Sequence, residues 1–66
     1  MDFITQLNIL ACTKQEEYPS LRKGQSLMST LYEIDTTIYR KIVGTDNDPF
    51  YDDKKLDNFF KFLSQL

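Results

Sequence analysis

Aspartates are the residues of this 66-residue chain whose type and spacing come closest to a chemical site. Four of the ten acidic residues lie in the stretch 44–53, which reads Gly-Thr-Asp-Asn-Asp-Pro-Phe-Tyr-Asp-Asp. A calcium loop that began at Asp46 would place Asp48 at its third ligand position. Phe50 would then occupy the fifth position, and Tyr51 would stand where such a loop requires glycine. The pattern therefore predicts a turn with helix-capping aspartates, and no metal site is expected.

The sequence contains few of the side-chain combinations that enzymes use for catalysis. Paired aspartates need a pocket that shifts a pKa, and 66 residues enclose little volume. There is no histidine, so the single cysteine, Cys12, lacks its usual base. The same composition allows no intrachain disulfide and no zinc site of Cys/His type. We expect a protein that is not an enzyme, with no catalytic residue and no cofactor.

Arg22 and Gln25 lie one helical turn apart and off the apolar stripe of their predicted helix. An Arg-x-x-Gln pair can read base edges, so 20–43 could form the helix-turn-helix of a small DNA-binding regulator. Alternatively, Arg22 pairs with an aspartate of 44–53, since a guanidinium matches a carboxylate well. The third interpretation is that Arg22 is simply exposed to solvent.

The formal net charge is −2, whereas binding to nucleic acid depends on a surplus of positive charge. Nucleic acid is therefore not the expected partner. A further hypothesis is that the acidic stretch 44–53 imitates DNA phosphates and inhibits an enzyme that acts on DNA.

Apolar residues recur at helical spacing in four segments, which predicts an all-α bundle of three to four short helices with one ordered acidic-aromatic loop. The helices are expected near 2–16, 20–33, 36–43 and 53–65, within a single domain, 1–66. The predicted core is Phe3, Leu7, Leu10, Leu27, Leu31, Ile38, Ile42, Phe50, Phe59 and Leu63.

Caps and breakers set the predicted helix ends. Asp2 and Asp35 are expected as N-caps, Gly44 as the left-handed residue after the third helix, and Asp52 or Asp53 as the cap of the last one. Pro19 is expected in the first turn of the second helix. Because a glycine inside a helix costs about 1 kcal/mol against alanine, Gly24 is expected to mark the close approach of another helix.

Two segments carry a resemblance to a known group of proteins. Residues 21–25 read Leu-Arg-x-Gly-Gln, residues 44–53 read Gly-Thr-Asp-x-Asp-Pro-Phe-Tyr-x-Asp, and Leu31 and Phe59 complete the pattern. From about residue 18 to the C-terminus, the chain resembles a group of small uncharacterised proteins of bacteriophages and bacterial genomes. The resemblance implies an all-helical fold, a phage or prophage setting and a role for Arg22, Gln25, Asp46 and Asp48. It implies no particular activity.

Surplus aromatic residues predict an interaction surface. Phe62 widens the apolar stripe of the last helix beyond what one small core needs, and such side chains often anchor interfaces. The candidate surface consists of Arg22, Gln25, Asp46, Asp48, Tyr51, Phe60 and Phe62. We therefore expect a non-enzymatic accessory protein of phage or prophage type that binds a host or phage protein. A homodimer is the alternative use of this surface, because a second copy would enlarge a small core.

The expected compartment is the cytoplasm of a bacterial host. No apolar run approaches the roughly 18 residues of a membrane span, and the N-terminus has no positively charged region typical of a signal peptide. A single thiol also suits a reducing compartment.

Overall fold

Four α-helices form the fold of residues 2–66, which a computed structural model describes. The helices are α1 (Phe3–Glu17), α2 (Lys23–Ile34), α3 (Thr36–Ile42) and α4 (Leu56–Ser64). A 3-10 turn, Asp53–Lys55, leads directly into α4. Residues 2–66 contain no strand. The predicted all-α architecture is therefore confirmed.

Local capping signals set the ends of α1 and α3, as predicted. The backbone N–H of Thr5 donates to Asp2 Oδ1 (2.8 Å), and that of Ile38 donates to Asp35 Oδ1 (3.1 Å). The pKa of Asp2 is lowered, chiefly by the Thr5 N–H and next by the Thr5 hydroxyl, which both bond to its carboxylate. Gly44 follows α3 with a φ of +78°, a left-handed conformation that glycine adopts without steric cost.

The connection between α1 and α2 differs from the prediction. Pro19 does not lie in a helix, because α2 begins only at Lys23. The backbone N–H of Leu21 donates instead to the carbonyl of Tyr18 (3.0 Å), which closes a turn with Pro19 at its second position. Proline is favoured there because its fixed φ suits the turn. Helix α1 ends at Glu17, one residue beyond the predicted range 2–16.

The start of α4 also differs from the prediction in detail. Asp52 accepts a hydrogen bond from the N–H of Lys54 (2.9 Å), so it caps the 3-10 turn rather than the α-helix itself. Asp53 points to α2 instead, as described below.

The core fills the space between α1, α2 and the shorter helices. Leu7 and Ala11 of α1 are buried, whereas Leu10 is 38% exposed, so its assignment to the core is wrong. The small side chain of Ala11, rather than that of Leu10, turns towards the core, and the rotation of α1 follows from packing against its neighbours. The buried apolar side chains are Leu7, Ala11, Leu27, Met28, Leu31, Ile42, Phe59 and Leu63. Phe3, Ile38 and Phe50 pack against this core while remaining partly exposed.

Candidate functional site

Residues 44–53, termed the acidic loop below, are held together by one of their own aspartates. Asp48 Oδ2 accepts a hydrogen bond from the N–H of Gly44 (2.9 Å), and Asp48 Oδ1 accepts one from the N–H of Phe50 (2.9 Å). The hydroxyl of Thr45 donates to the carbonyl of Ile42 at the end of α3 (2.6 Å). Two of the predicted surface residues therefore have different roles: Asp48 orders the loop, and Asp46 lies exposed at its tip.

The acidic loop docks on the N-terminal turn of α2. Pro49 is fully buried against Gly24, where a Cβ would lie 2.8 Å from the carbonyl carbon of Pro49 and closer still to its oxygen. The N–H of Gly24 donates to Asp53 Oδ1 (3.0 Å), which places a carboxylate at the positive end of the helix dipole. The expectation of a close approach at Gly24 is thus correct, but the approaching element is the loop and not another helix.

The side chain of Arg22 also holds the acidic loop against the start of α2. Its Nη2 donates to the carbonyl of Phe50 (2.7 Å), and its Nη1 lies 3.6 Å from Asp53 Oδ1, so the predicted pairing with a loop aspartate is present. Both side chains of that pair are partly exposed, and such pairs contribute about 0–1 kcal/mol. The more specific contact is the one to the Phe50 carbonyl.

Gln25 also acts within the chain. Its Oε1 accepts a hydrogen bond from the backbone N–H of Arg22 (2.9 Å) at the start of α2. The reciprocal half of a capping box cannot form, because an arginine side chain has no acceptor. Arg22 and Gln25 therefore make capping and docking contacts at the start of α2.

An aromatic groove lies beside the docked loop, between α2, α3 and the acidic loop. Its larger part encloses about 420 Å³ and its smaller part about 120 Å³. Both parts are lined by Met28, Tyr39 and Phe50, so the two parts form one continuous surface. The remaining lining residues are Ser29, Tyr32, Glu33, Val43, Asp48 and Tyr51.

Two edge-to-face ring pairs line the groove. The ring centroids of Tyr32 and Tyr39 lie 5.0 Å apart, and those of Phe50 and Tyr51 lie 4.9 Å apart. Tyr32 remains 58% exposed and Tyr51 84% exposed. The groove thus presents large apolar surface to solvent.

The backbone that carries Tyr51 is held from two sides. The carbonyl of Phe50 accepts from Arg22, and the N–H of Phe50 donates to Asp48. Tyr51 is the next residue, and its side chain projects from this fixed backbone into solvent. Because this backbone is already ordered, the loop itself loses little conformational freedom on binding.

The ionisable side chains around the groove are predominantly acidic. Glu33 and Asp48 line it, and no lysine or arginine does so in the part of the chain that the structure describes. Lys14 of α1 forms a salt bridge with Glu33. Asp46 and Asp52 of the acidic loop are exposed nearby in the chain.

The structure divides the predicted surface rather than uniting it. Phe60 and Phe62 are partly buried against the core, and neither lines the groove. The Nζ of Lys23 lies 5.8 Å above the ring of Phe60. Of the predicted set, Tyr51 and Asp48 belong to the groove.

Sequence reasoning missed Met28, Tyr32 and Tyr39 as site residues. Their helical spacing predicts only that they belong to α2 and α3. Their meeting depends on the angle between these helices across Asp35, whose φ of −156° and ψ of 88° no sequence pattern specifies.

Other chemical sites receive no support from the geometry. Within residues 2–66, no three or more cysteine, histidine or acidic side chains are grouped so that they could hold a metal ion. Cys12 is exposed. None of the helices described is both long and apolar enough to cross a membrane.

Comparison of the chain with protein-family models, with curated proteins and with solved structures finds no match. The geometry of the groove and the acidic loop is therefore the basis for the functional proposal.

Proposed function

We propose that this chain is a non-enzymatic interaction protein that binds a partner protein through the aromatic groove and the adjoining acidic loop. In this proposal it acts in the bacterial cytoplasm as an accessory protein of phage or prophage type, and its partner is a host or phage protein. The cellular setting comes from the resemblance of residues 21–25 and 44–53 to phage and bacterial proteins.

The observation that carries the proposal is the exposure of Tyr51. A ring that is 84% exposed contributes little to the core, yet Arg22 and Asp48 hold the backbone beside it in place. Tyrosine is enriched among the residues that dominate binding energy at protein interfaces. An ordered loop that carries an exposed ring is suited to recognition rather than to stability.

The chemistry of the groove agrees with binding rather than catalysis. Its walls are aromatic, and its floor includes Met28, a flexible and polarisable side chain common at binding surfaces. Its carboxylates, Glu33 and Asp48, are already engaged by Lys14 and by backbone N–H groups.

Site-specific photocrosslinking tests the proposal. A photoreactive amino acid replaces Tyr51 in one variant and Tyr18 in the matched control, which is 57% exposed and lies outside the groove. Both variants are expressed in bacteria and irradiated, and the adducts are identified by mass spectrometry. We expect a discrete adduct from position 51 and none from position 18.

A second variant links the adduct to the groove. Tyr32→Ala, introduced together with the photoreactive residue at position 51, should reduce the yield of that adduct because it removes the opposite wall. Equal adducts from positions 18 and 51, or no adduct from 51, would contradict the proposal. An adduct at twice the chain mass of 7.8 kDa would replace it with a homodimer.

A further inference from the structure

We infer that the occupant of the aromatic groove is a basic segment of the partner protein, which lays an arginine or lysine side chain across the rings beside the acidic loop. This inference rests on the proposed function and adds the chemistry of the partner. It is carried by the aromatic rings and by the charges around them.

The aromatic side chains of the groove suit a cation. Four aromatic side chains, Tyr32, Tyr39, Phe50 and Tyr51, line a surface that holds no lysine or arginine among the described residues. The face of an aromatic ring carries partial negative charge and attracts an ammonium or guanidinium group within about 6 Å. Because the guanidinium is planar and weakly hydrated, it also stacks on exposed tyrosine rings.

The charges around the groove point to the same occupant. The acidic loop contains four aspartates and no lysine or arginine. Within residues 2–66, Arg22 pairs with Asp53, but no cationic side chain lies within 4.0 Å of the carboxylates of Asp46, Asp48 or Asp52. The loop side of the groove therefore keeps a negative potential that attracts a basic segment and steers its approach.

Other occupants fit this surface less well. An acidic segment would be repelled by the same carboxylates. A purely apolar segment would remove water from the charged carboxylate of Asp48, which has backbone N–H partners but no cationic partner among the described residues, and such desolvation is costly. A second copy of the chain carries a net charge of −2 and brings its own acidic loop.

Tyrosine fluorescence provides a direct assay. The chain has four tyrosines and no tryptophan. In a Tyr18→Phe background, the three remaining tyrosines, Tyr32, Tyr39 and Tyr51, all line the groove. Their emission therefore reports occupancy of this surface alone.

The probes are three short peptides that differ only at the central residue, which is arginine, leucine or glutamate between two leucines. We expect the arginine peptide to bind about tenfold more tightly than the leucine peptide, as two cation–ring contacts would give. The glutamate peptide should not bind. Raising the salt concentration from about 0.05 to 0.5 M should weaken binding of the arginine peptide by about twofold and leave the leucine peptide unchanged, because salt screens the loop charges more than the ring contacts.

Matched variants separate the contributions of the Tyr51 ring and of the loop charge to binding of the arginine peptide. Tyr51→Phe keeps the ring face and should bind the arginine peptide within about twofold of the parent, whereas Tyr51→Ala should lose at least about fivefold. Asp46→Asn, at an exposed position, should weaken the arginine peptide by about twofold and leave the leucine peptide unchanged.

Equal binding of the arginine and leucine peptides, binding of the glutamate peptide, or no binding of the arginine peptide would each overturn the inference. These outcomes are separate from the crosslinking result. A discrete adduct through position 51 together with no preference for arginine removes the basic occupant and leaves the proposed function in place.

Discussion

Substituting Gly24 by alanine tests how the acidic loop is held. In an ordinary helix interior this change stabilises a protein by up to about 1 kcal/mol, because alanine is the better helix former. In this chain, the new Cβ would lie 2.8 Å from the carbonyl carbon of Pro49 and 2.7 Å from Asp53 Oδ1. Both distances are shorter than real Cβ contacts allow, so Gly24→Ala should destabilise the fold.

The size of this destabilisation depends on how far the loop backbone and Asp53 can move away from the new Cβ. Pro49 is fully buried, and its carbonyl oxygen also accepts the N–H of Asp52, so the loop backbone has little room to yield. Overpacking of this kind costs about 1–3 kcal/mol. Displacing Asp53 weakens its hydrogen bond with the Gly24 N–H, and a net hydrogen bond contributes about 1 kcal/mol. We expect a total loss of about 2–4 kcal/mol, which exceeds any gain in helix propensity.

Thermal unfolding followed by circular dichroism measures this effect. For a domain of this size, each kcal/mol shifts Tm by about 4–8 °C, so Gly24→Ala should lower Tm by roughly 8–32 °C. Ser29→Ala on the same helix is the control, and its Tm should remain within a few degrees of the parent. An unchanged or raised Tm for Gly24→Ala would refute the docking of the loop on α2.

Three further predictions concern the core and the caps. Phe59→Ala removes a fully buried ring at a cost of about 3–5 kcal/mol, so circular dichroism should show that the variant is unfolded. A Tm within a few degrees of the parent would disprove the central position of Phe59 in the core. Gly44→Ala should lower Tm because the left-handed φ of +78° costs an alanine about 1–2 kcal/mol, whereas Gly44→Asn should cost less. The lowered pKa of Asp2 means that its stabilising effect is present above the pKa of the unfolded chain and is lost as pH falls through the lower folded value. Melts in acid should therefore show a smaller loss of Tm for Asp2→Asn than for the parent, and equal losses would contradict this role.

Local signals predicted the helices of this chain well. Asp2, Asp35 and Gly44 act within a few residues of their own positions, so their capping roles could be read from sequence spacing. The predicted start of α2 is too early, because Pro19 suits both the first turn of a helix and the second position of a β-turn. The hydrogen bond that closes the turn at Leu21 decided between them.

Contacts between distant residues were only partly predictable. A glycine at position 24 indicated a close approach, but its partner is Pro49, which lies far away in the sequence and whose position depends on the whole loop. The pairing of Arg22 with an aspartate of the loop was expected, whereas its hydrogen bond to the Phe50 carbonyl was not. Tyr51 could be selected from the sequence because a large ring in an acidic loop is unusual.

The groove itself needed the structure. Tyr32 and Tyr39 belong to different helices, and their ring contact depends on the turn at Asp35. Leu10 shows the converse limit, since an apolar residue at core spacing can still face solvent when packing rotates its helix.

Recognition by the groove is tested most directly by calorimetric titration with the partner protein that crosslinking identifies. The parent chain, Tyr51→Ala and Tyr51→Phe are each titrated with that partner. We predict that Tyr51→Ala weakens binding by about thirtyfold, as expected when a central interface ring is removed, while Tyr51→Phe stays within about threefold and both variants keep the Tm of the parent. A Tyr51→Ala variant that binds the partner as tightly as the parent would contradict recognition through the aromatic groove.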